Sequence, residues 1–418
     1  MREMKDSGVA WIGKIPHCWN TSKLKYFGQY INGYAFKPEE WGSKGVPIIR
    51  IQDLTGSNDN PNYFEGQIDK KYWVENGDIL ISWAATLDAF IWNKGNGWLN
   101  QHIFKAVPNR RIINYDFFFW MIKESMKNMN NDNKHGIFMQ HVTLSVFNNF
   151  TIPMPPLAEQ ERIAAFLDAQ CAEIDAVLEK TRASIEEYKK LKQAVITQAV
   201  TKGIRGDRPM KDSGIEWIGE IPAEWSVVPF SKFARVSANL VNPSDYQDYL
   251  QVSPENIEKD SGKLLPCKTV SEVGVESWNH FFHKGQILYS KIRPKLNKVC
   301  IAPFDGLCSA DMYPIDTDNI SKFVVYTILS NDFNQQVAMI TENRVKMPKI
   351  NQKELSKIIV VLPANRMEQQ EIVDYLDGEC GKIDALIAKK QQYLIEIENY
   401  KKSLIYEYVT GKKEVHPL

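Results

Sequence analysis

Few residues of this 418-residue chain have the types and spacing that catalysis requires. His280 and His283 are spaced as a metal-binding pair could be, but no third ligand is placed near them, and zinc sites use at least three protein ligands. Asp305 and Asp311 could be imagined as the metal-binding carboxylates of a nuclease, yet no convincing acidic pair is followed by Glu-x-Lys. We therefore expect packing or surface histidines, no catalytic residue, no metal and no cofactor.

Two motifs of nucleotide-using and DNA-modifying enzymes are also missing from the sequence. No GxxxxGK[ST] phosphate-binding loop occurs, so the sequence shows no ATP-binding site of this kind. Residues 154–157 contain two prolines but lack the amide and the aromatic side chain with which amino-methyltransferases hold and stack a base. These absences favour a binding protein over an enzyme.

The clearest binding signal is a run of cations in the second half of the chain. Residues 284–304 contain five Lys and Arg residues and neither Asp nor Glu. Alternation along a strand and loop would place Lys291, Arg293 and Lys295 on one side, where they could neutralise DNA phosphates. Arg293 could also bind a guanine edge, although the whole run could instead be a solvated face. The predicted DNA contacts of this half are Lys291, Arg293, Lys295 and Lys298, with Arg344, Lys346 and Lys349 of a loop that contains Pro348.

The first half offers polar and aromatic residues instead of a basic run. A Gln or Asn side chain can bind an adenine edge through two hydrogen bonds, and a flat Trp side chain can stack or cover a groove wall. A structural role is the alternative for each of them. The predicted DNA contacts of this half are Arg50, Gln52, Trp83, Thr86, Gln101, His102 and Gln140.

The composition is that of a folded protein whose net charge gives no overall electrostatic attraction for a polyanion. Hydrophobic residues make up 44% and aromatic residues 11% of the chain, enough for two or three domains with buried cores. The formal net charge is zero, so a DNA partner must be met by local patches of Lys and Arg. The six cysteines form no CxxC pair, the N-terminus has no signal-peptide core and no run reaches 18 apolar residues. We expect reduced thiols and a cytoplasmic protein with no membrane segment.

Two long helices must position these residues, and the sequence contains each of them as one copy of a repeat. Aligning Glu159 with Glu368 matches the two stretches without a gap, and in both the apolar residues recur at intervals of three and four. This narrow apolar seam predicts two long helices suited to a coiled coil. Because the order is domain, helix, domain, helix, antiparallel pairing avoids a long return connection and would place the domains at opposite ends of a rigid spacer. The seam residues are Ile163, Leu167, Ile174, Leu178, Ile185, Tyr188 and Val195, and Ile372, Leu376, Ile383, Ile387, Leu394, Ile397 and Leu404.

The rest of each half repeats a Trp/Pro segment and a strand. Trp-Ile-Gly-x-Ile-Pro occurs at residues 11–16, followed by Trp19, and again at 217–222, followed by Trp225. These segments should pack around the helix ends, although an exposed aromatic platform for a partner is the alternative. The remaining sequence predicts mixed α/β regions: strands at 46–51, 79–82, 90–92, 287–289 and 298–301, and helices at 115–122 and 323–329.

The fold class expected is therefore two mixed α/β (α+β) domains, related by an internal pseudo-two-fold repeat and joined by two long antiparallel helices. A chain of only two such units is a duplication, since solenoids normally need three or more. The predicted division is residues 1–155 for the first domain, 156–204 for its helix, 205–362 for the second domain and 363–411 for its helix.

Taken together, these motifs resemble the specificity subunit of type I restriction–modification systems over essentially the whole chain. The resemblance is carried by the duplicated Trp-Ile-Gly-x-Ile-Pro segment and by the strands Gly-Asp-Ile-Leu-Ile-Ser and Gly-Gln-Ile-Leu-Tyr-Ser. It is completed by two further stretches, Ile-Pro-Met-Pro-Pro-Leu-Ala-Glu-Gln-Glu-Arg-Ile at 152–163 and Ala-Val-Thr-Lys-Gly at 199–203. The second copy departs from the Pro-Pro pattern at residues 363–367, which concerns only the local helix start.

The resemblance implies two target-recognition domains, each reading one part of a split, asymmetric sequence in double-stranded DNA, and helices that act as a ruler. It implies modification subunits that dock on the helices and supply S-adenosylmethionine chemistry, and ATP-using restriction subunits in the same assembly. Half-sites on one face of a duplex recur about every 34 Å, which a stiff helix pair could match. The alternatives are a self-contained nuclease or methyltransferase, and a coiled-coil adaptor for proteins only.

Overall fold

The structure is a computed structural model that describes residues 2–58, 60–131, 141–342, 344 and 348–415. The chain divides into two compact units. Unit 1 consists of Met1–Lys180 and Tyr393–Leu418, and unit 2 consists of Thr181–Gln392. Each unit therefore combines the globular part of one half of the chain with segments of both long helices.

The strands in chain order are β1 (Met4–Asp6), β2 (Lys14–Pro16), β3 (Asn20–Lys23), β4 (Gly28–Asn32), β5 (Val46–Ile49), β6 (Tyr63–Phe64), β7 (Trp73–Val74), β8 (Ile79–Ser82), β9 (Asp88–Ile91), β10 (Gly97–Leu99), β11 (Ile103–Pro108), β12 (Thr151–Met154), β13 (Met210–Asp212), β14 (Glu220–Pro222), β15 (Ser226–Pro229), β16 (Arg235–Val236), β17 (Leu240–Val241), β18 (Leu250–Val252), β19 (Lys268–Thr269), β20 (Asn279–Phe282), β21 (Ile287–Ser290), β22 (Val299–Ile301), β23 (Gly306–Cys308), β24 (Met312–Asp316) and β25 (Ile359–Leu362). The α-helices are α1 (Ile51–Thr55), α2 (Tyr115–Asn131), α3 (Leu144–Asn149), α4 (Leu157–Lys202), α5 (Phe230–Phe233), α6 (Val270–Val273), α7 (Ser321–Leu329), α8 (Asn331–Thr341), α9 (Gln352–Leu355) and α10 (Arg366–Val409).

Both units contain two larger sheets with corresponding strand orders, and the second sheet has one additional edge strand, β17, in unit 2. An antiparallel four-stranded sheet has the order β4-β11-β8-β9 in unit 1 and β16-β24-β21-β22 in unit 2. A second sheet has the order β6-β5-β10-β7 in unit 1 and β17-β20-β23-β18-β19 in unit 2. In that sheet β5 and β10 are parallel, as are β18 and β23. The matching topologies confirm a duplicated, mixed α/β fold.

The central strands β8 and β21 begin after the same glycine turn. All four residues of each strand are buried, which explains why the sequence is a continuous apolar run and does not alternate. Gly77 and Gly285 have φ values of 90° and 89°, a left-handed conformation that strains any residue with a side chain. Their N–H groups donate to the carbonyls of Trp92 and Ala302 at 2.8 Å, so a glycine is needed where each hairpin closes.

Most of the predicted elements are present, and one predicted strand is too long. The predicted helices at 115–122 and 323–329 lie within α2 and α7. The predicted strand at 46–51 is too long, because β5 ends at Ile49 and α1 begins at Ile51. The N–H of Arg50 donates to Asp53 Oδ2 at 2.7 Å, so a side chain of the first helical turn caps the helix. This cap outweighs the strand propensity of the apolar run.

The two long helices pack against each other in an antiparallel arrangement in unit 1. Helix α4 has 46 residues and α10 has 44, which corresponds to roughly 65–70 Å each. The carboxylate of Asp175 on α4 lies 2.6 Å from Lys401 Nζ on α10, and the rings of Phe166 and Tyr408 have centroids 4.4 Å apart. Phe166 precedes Asp175 on α4, whereas its partner Tyr408 follows Lys401 on α10. The two helices therefore run in opposite directions.

Unit 2 contains the same antiparallel pairing. Lys192 Nζ lies 2.8 Å from Asp384, and Arg205 lies 2.6 Å from Glu371. Every predicted seam residue is buried or half-buried, which confirms the predicted coiled-coil type of packing. Among the described residues, no helix combines the length and the apolar character needed to cross a membrane.

The Trp/Pro segments pack at the helix starts, as predicted, except that Trp217 is 44% exposed. The packing involves two equivalent groups that we call clasps. In each clasp a fully buried indole donates its N–H to a glutamate in the first turn of a long helix, at 2.8 Å in unit 1 and 3.0 Å in unit 2. An arginine pairs with the same carboxylate and lies over the indole, 5.3 Å and 5.5 Å from its centroid. The clasps consist of Arg2, Glu159 and Trp19 in unit 1, and of Arg208, Glu368 and Trp225 in unit 2.

Candidate nucleic-acid interface

In unit 1, backbone hydrogen bonds join the loops that follow β5, β8 and β10. The N–H of Asn100 donates to the carbonyl of Ile49 at 3.2 Å, and the N–H of Trp83 donates to the carbonyl of His102 at 3.2 Å. These bonds place the loops along one edge of the unit, which we call rim 1. Its predicted residues are Arg50, Trp83, Gln101 and His102.

Trp83 forms a fixed flat surface in rim 1. Its indole N–H donates to Asn32 Oδ1 at 3.2 Å, and its ring stacks on Phe104 with centroids 5.6 Å apart. The imidazole of His102 meets the indole edge to face at 4.9 Å. His102 is exposed and left-handed, with φ 75°. An immobilised aromatic ring beside an exposed imidazole offers a stacking surface and a hydrogen-bonding group at the same edge.

The other predicted residues of the first half lie on loops or on the first turn of a short helix. Arg50 precedes α1, and its guanidinium lies 4.9 Å from the ring centroid of Trp41. Gln52 is exposed on α1, and Thr86 is exposed in the loop between β8 and β9. Gln140 lies outside the described residues. The structure therefore brings Arg50, Trp83, Gln101 and His102 to one edge.

Unit 2 forms the same edge, which we call rim 2, through the same backbone bonds. The N–H of Lys291, directly after β21, donates to the carbonyl of Asp311 at 3.0 Å. The N–H of Ser309, directly after β23, donates to the carbonyl of Val252 at 2.9 Å. These bonds correspond to those that join the loops of rim 1, so the two rims can be compared position by position.

The loop after the central strand has the same backbone shape in both units. Ala85 and Arg293 are both left-handed, with φ values of 58° and 44°. An isolated β-bridge follows at the equivalent place, between Ala84 and His141 in unit 1 and between Ile292 and Lys349 in unit 2. The matched positions of the two rims are Trp83 with Lys291, Ala85 with Arg293, His102 with Asp311, and His141 with Lys349.

The cations of rim 2 do not lie along one side of a strand, so that expectation is wrong. Arg293 is left-handed, and a 3-10 turn over Pro294–Leu296 follows it, which ends the strand alternation. Arg293 and Lys295 are nevertheless exposed. Lys291 is half-buried, and its ammonium lies 5.2 Å from the ring centroid of Tyr313. The positions of these side chains are set by the left-handed Arg293 and by Pro294, which interrupt the strand.

Two of the predicted cations take part in the internal structure of unit 2. Lys298 Nζ donates to the carbonyl of Pro254 at 2.7 Å. Arg344 lies 2.5 Å from Glu354, and its hydrogen bond holds the pKa of that carboxyl below its usual value. Lys349 is exposed, and Lys346 lies outside the described residues. Lys298 and Arg344 are therefore weaker candidates for DNA contact than Arg293, Lys295 and Lys349.

The four residues that could suggest a metal site do not form one: His283 Nδ1 lies 3.9 Å from Asp305, and no further ligand joins this pair among the described residues. His280 is buried on β20, and burial together with the ammonium of Lys291 lowers its pKa. His283 is exposed, and Asp305 accepts a hydrogen bond from the N–H of Lys284 at 2.6 Å. In the part of the chain that the structure describes, no three His, Cys, Asp or Glu residues are grouped to hold a metal.

Two residues join the candidate interface that the sequence did not indicate for it. Asn32 holds Trp83, and Asp311 occupies a matched rim position. A position-by-position alignment of the two halves could have found the matched pair of His102 and Asp311. The sequence carried no signal for Asn32, because its contact with Trp83 depends on the pairing of β4, β11 and β8.

The chain matches the model of the type I restriction modification DNA specificity domain twice, at residues 16–187 and 232–399. It is 32% identical over 404 residues to the specificity subunit of the type I restriction enzyme EcoDI from Escherichia coli, covering 90% of this chain and 89% of that protein. It is 24% identical over 434 residues to the EcoBI specificity subunit from the same organism, covering 98% and 90%.

One solved structure, from work on the "structural basis underlying complex assembly and conformational transition of the type I R-M system", has the same fold. It has a TM-score of 0.70 at 15% identity and covers 96% of this chain and 99% of that one. The two matches to a DNA specificity domain, one in each half of this duplicated fold, define a DNA-recognition protein. The chain belongs to the family of type I restriction–modification specificity subunits, as the sequence motifs indicated.

Proposed function

We propose that the chain is the non-catalytic specificity subunit of a type I restriction–modification complex, and that each unit reads one half of a bipartite site in double-stranded DNA. The observation that carries this proposal is the matched pair of rims. The same backbone edge presents Trp83, Ala85 and His102 in unit 1, but Lys291, Arg293 and Asp311 in unit 2. Different side chains on one scaffold bind different base edges, so the proposed site is asymmetric.

We also propose that the long helices set the distance between the half-sites and dock the modification subunits. Ile395 and Tyr400 on α10 are 54% and 55% exposed, and apolar side chains of this kind are what a bound partner would cover. Restriction subunits would join the same assembly, and S-adenosylmethionine would belong to the modification subunits. The proposed division is residues 1–155 and 205–362 for target recognition, and 156–204 and 363–411 for spacing and docking. The assembly would act in the cytoplasm.

The proposal is tested with the complete complex of this chain and its modification subunits. We expect its methylated adenines to define a split, asymmetric sequence. Lys291→Ala with Arg293→Ala should weaken binding and lower the slope of log affinity against log salt by about 0.9 for each lost phosphate contact. Lys298→Ala is the matched control, because that ammonium is bound within unit 2. Methylation without sequence preference would reject the proposal, as would turnover by this chain alone.

A further inference from the structure

Asp311 is the one carboxylate at the matched positions of rim 2, and hydrogen bonds hold its backbone in place. Its N–H donates to Ser309 Oγ at 3.2 Å, and its carbonyl accepts from the N–H of Lys291 at 3.0 Å. Among the described residues, its side-chain oxygens have no hydrogen bond or ion pair, although the residue is half-buried. The fold therefore holds an unused acceptor at this edge.

The surroundings of Asp311 make a carboxylate costly for binding DNA in general. The other matched positions of rim 2 are occupied by Lys291, Arg293 and Lys349. These cations attract phosphates, whereas a carboxylate among them repels the backbone of every DNA sequence equally. Asp311 can favour binding only where the DNA offers a hydrogen-bond donor.

The major groove offers such donors on two bases only. The N4 amine of cytosine and the N6 amine of adenine donate there, while guanine presents N7 and O6 and thymine presents O4, all of which are acceptors. A carboxylate therefore accepts from cytosine or adenine and repels the acceptor edges of guanine and thymine. This chemistry selects between classes of base at one position.

We infer that Asp311 is a specificity-determining residue of unit 2, which accepts a hydrogen bond from the exocyclic amine of a cytosine or adenine in its half-site. This inference rests on the proposed function and adds the class of base that one residue selects. His102 occupies the matched position in unit 1, and an imidazole can donate as well as accept. The matched position therefore presents an acceptor to one half-site and a group that both donates and accepts to the other.

The test uses the complete complex, a DNA library with randomised half-sites, and a separate measurement of binding to DNA without a site. For Asp311→Asn we expect discrimination at one position of one half-site to fall on the order of tenfold to a hundredfold. Binding to DNA without a site should become tighter, because a negative charge is lost. Asp311→Glu, which moves the carboxylate but keeps its charge, should lose discrimination without that tighter binding.

The matched control is Asp318→Asn, which changes an exposed aspartate of the same unit just before α7. It should leave the base preference unchanged. A wild-type complex with no preferred sequence would contradict the proposed function itself. A specific wild type whose base preferences are the same in Asp311→Asn would overturn only this inference. A loss of thermal stability in Asp311→Asn with unchanged base preference would assign a structural role and overturn it too.

Discussion

At the scale of single residues, each clasp shows how one buried carboxylate joins three parts of the chain. Glu368 lies in the first turn of α10, where the helix dipole favours a negative charge. Its side chain is 3% exposed and that of Arg208 is 9% exposed, so both charges are largely removed from water. Their attraction and the hydrogen bond from Trp225 offset this cost only while all three residues are present.

We predict that Glu368→Ala lowers the free energy of unfolding of unit 2 by about 3 kcal/mol, because the buried indole N–H of Trp225 loses its acceptor and the charge of Arg208 keeps only the half-exposed Glu224 as a partner. The control is Glu371→Ala, which breaks a pair with Arg205 whose side chains are 51% and 40% exposed. That change should cost less than about 1 kcal/mol, as exposed pairs do. Urea unfolding followed by hydrogen exchange of unit 2 measures both variants. Equal losses would contradict the role given to the clasp.

At the scale of elements, the helix seam contains two cysteines at matched positions that report on its packing. Cys171 on α4 and Cys380 on α10 are buried, and burial raises the pKa of each thiol to about 11. Alkylation requires the thiolate, which is therefore scarce at pH 8. We predict that iodoacetamide at pH 8 modifies the exposed Cys18 well before either seam cysteine, and that seam labelling increases as the pH approaches 11. Peptide mass spectrometry measures each rate, and similar rates for all three would refute a packed seam.

The same elements explain how far the sequence could predict this structure. The long helices were predictable because their periodicity is local and is repeated without a gap. The rims were not, because their shapes depend on distant contacts. The left-handed Arg293 donates its N–H to the carbonyl of Pro348 at 2.8 Å, and Lys298 is bound by the carbonyl of Pro254. A run of cations in the sequence does not reveal which of them the fold uses internally.

At the scale of the whole molecule, each unit contains a segment of the other half of the chain. Unit 1 includes Tyr393–Leu418. Lys412 Nζ donates to the carbonyl of Ile12 at 2.6 Å, and the hydroxyl of Tyr406 donates to the carbonyl of Trp11 at 3.1 Å. The N-terminal segment is therefore fixed by the end of α10. A recognition domain can be exchanged cleanly only if the exchanged residues leave these contacts and the clasp in place.

Residues 20–155 meet this requirement, because they lie between Trp19 and Glu159, which form the clasp of unit 1. We predict that replacing them with the corresponding residues of another family member changes one part of the methylated sequence. The other part and the length of the gap between them should stay the same, since unit 2 and both helices are unaltered. Replacing residues 226–362, which follow Trp225 and precede Glu368, is the reciprocal control and should change only the other part. Mapping methylated adenines in cells that carry the complete system distinguishes the outcomes. If either exchange altered both parts or the gap, the two units would not read DNA independently.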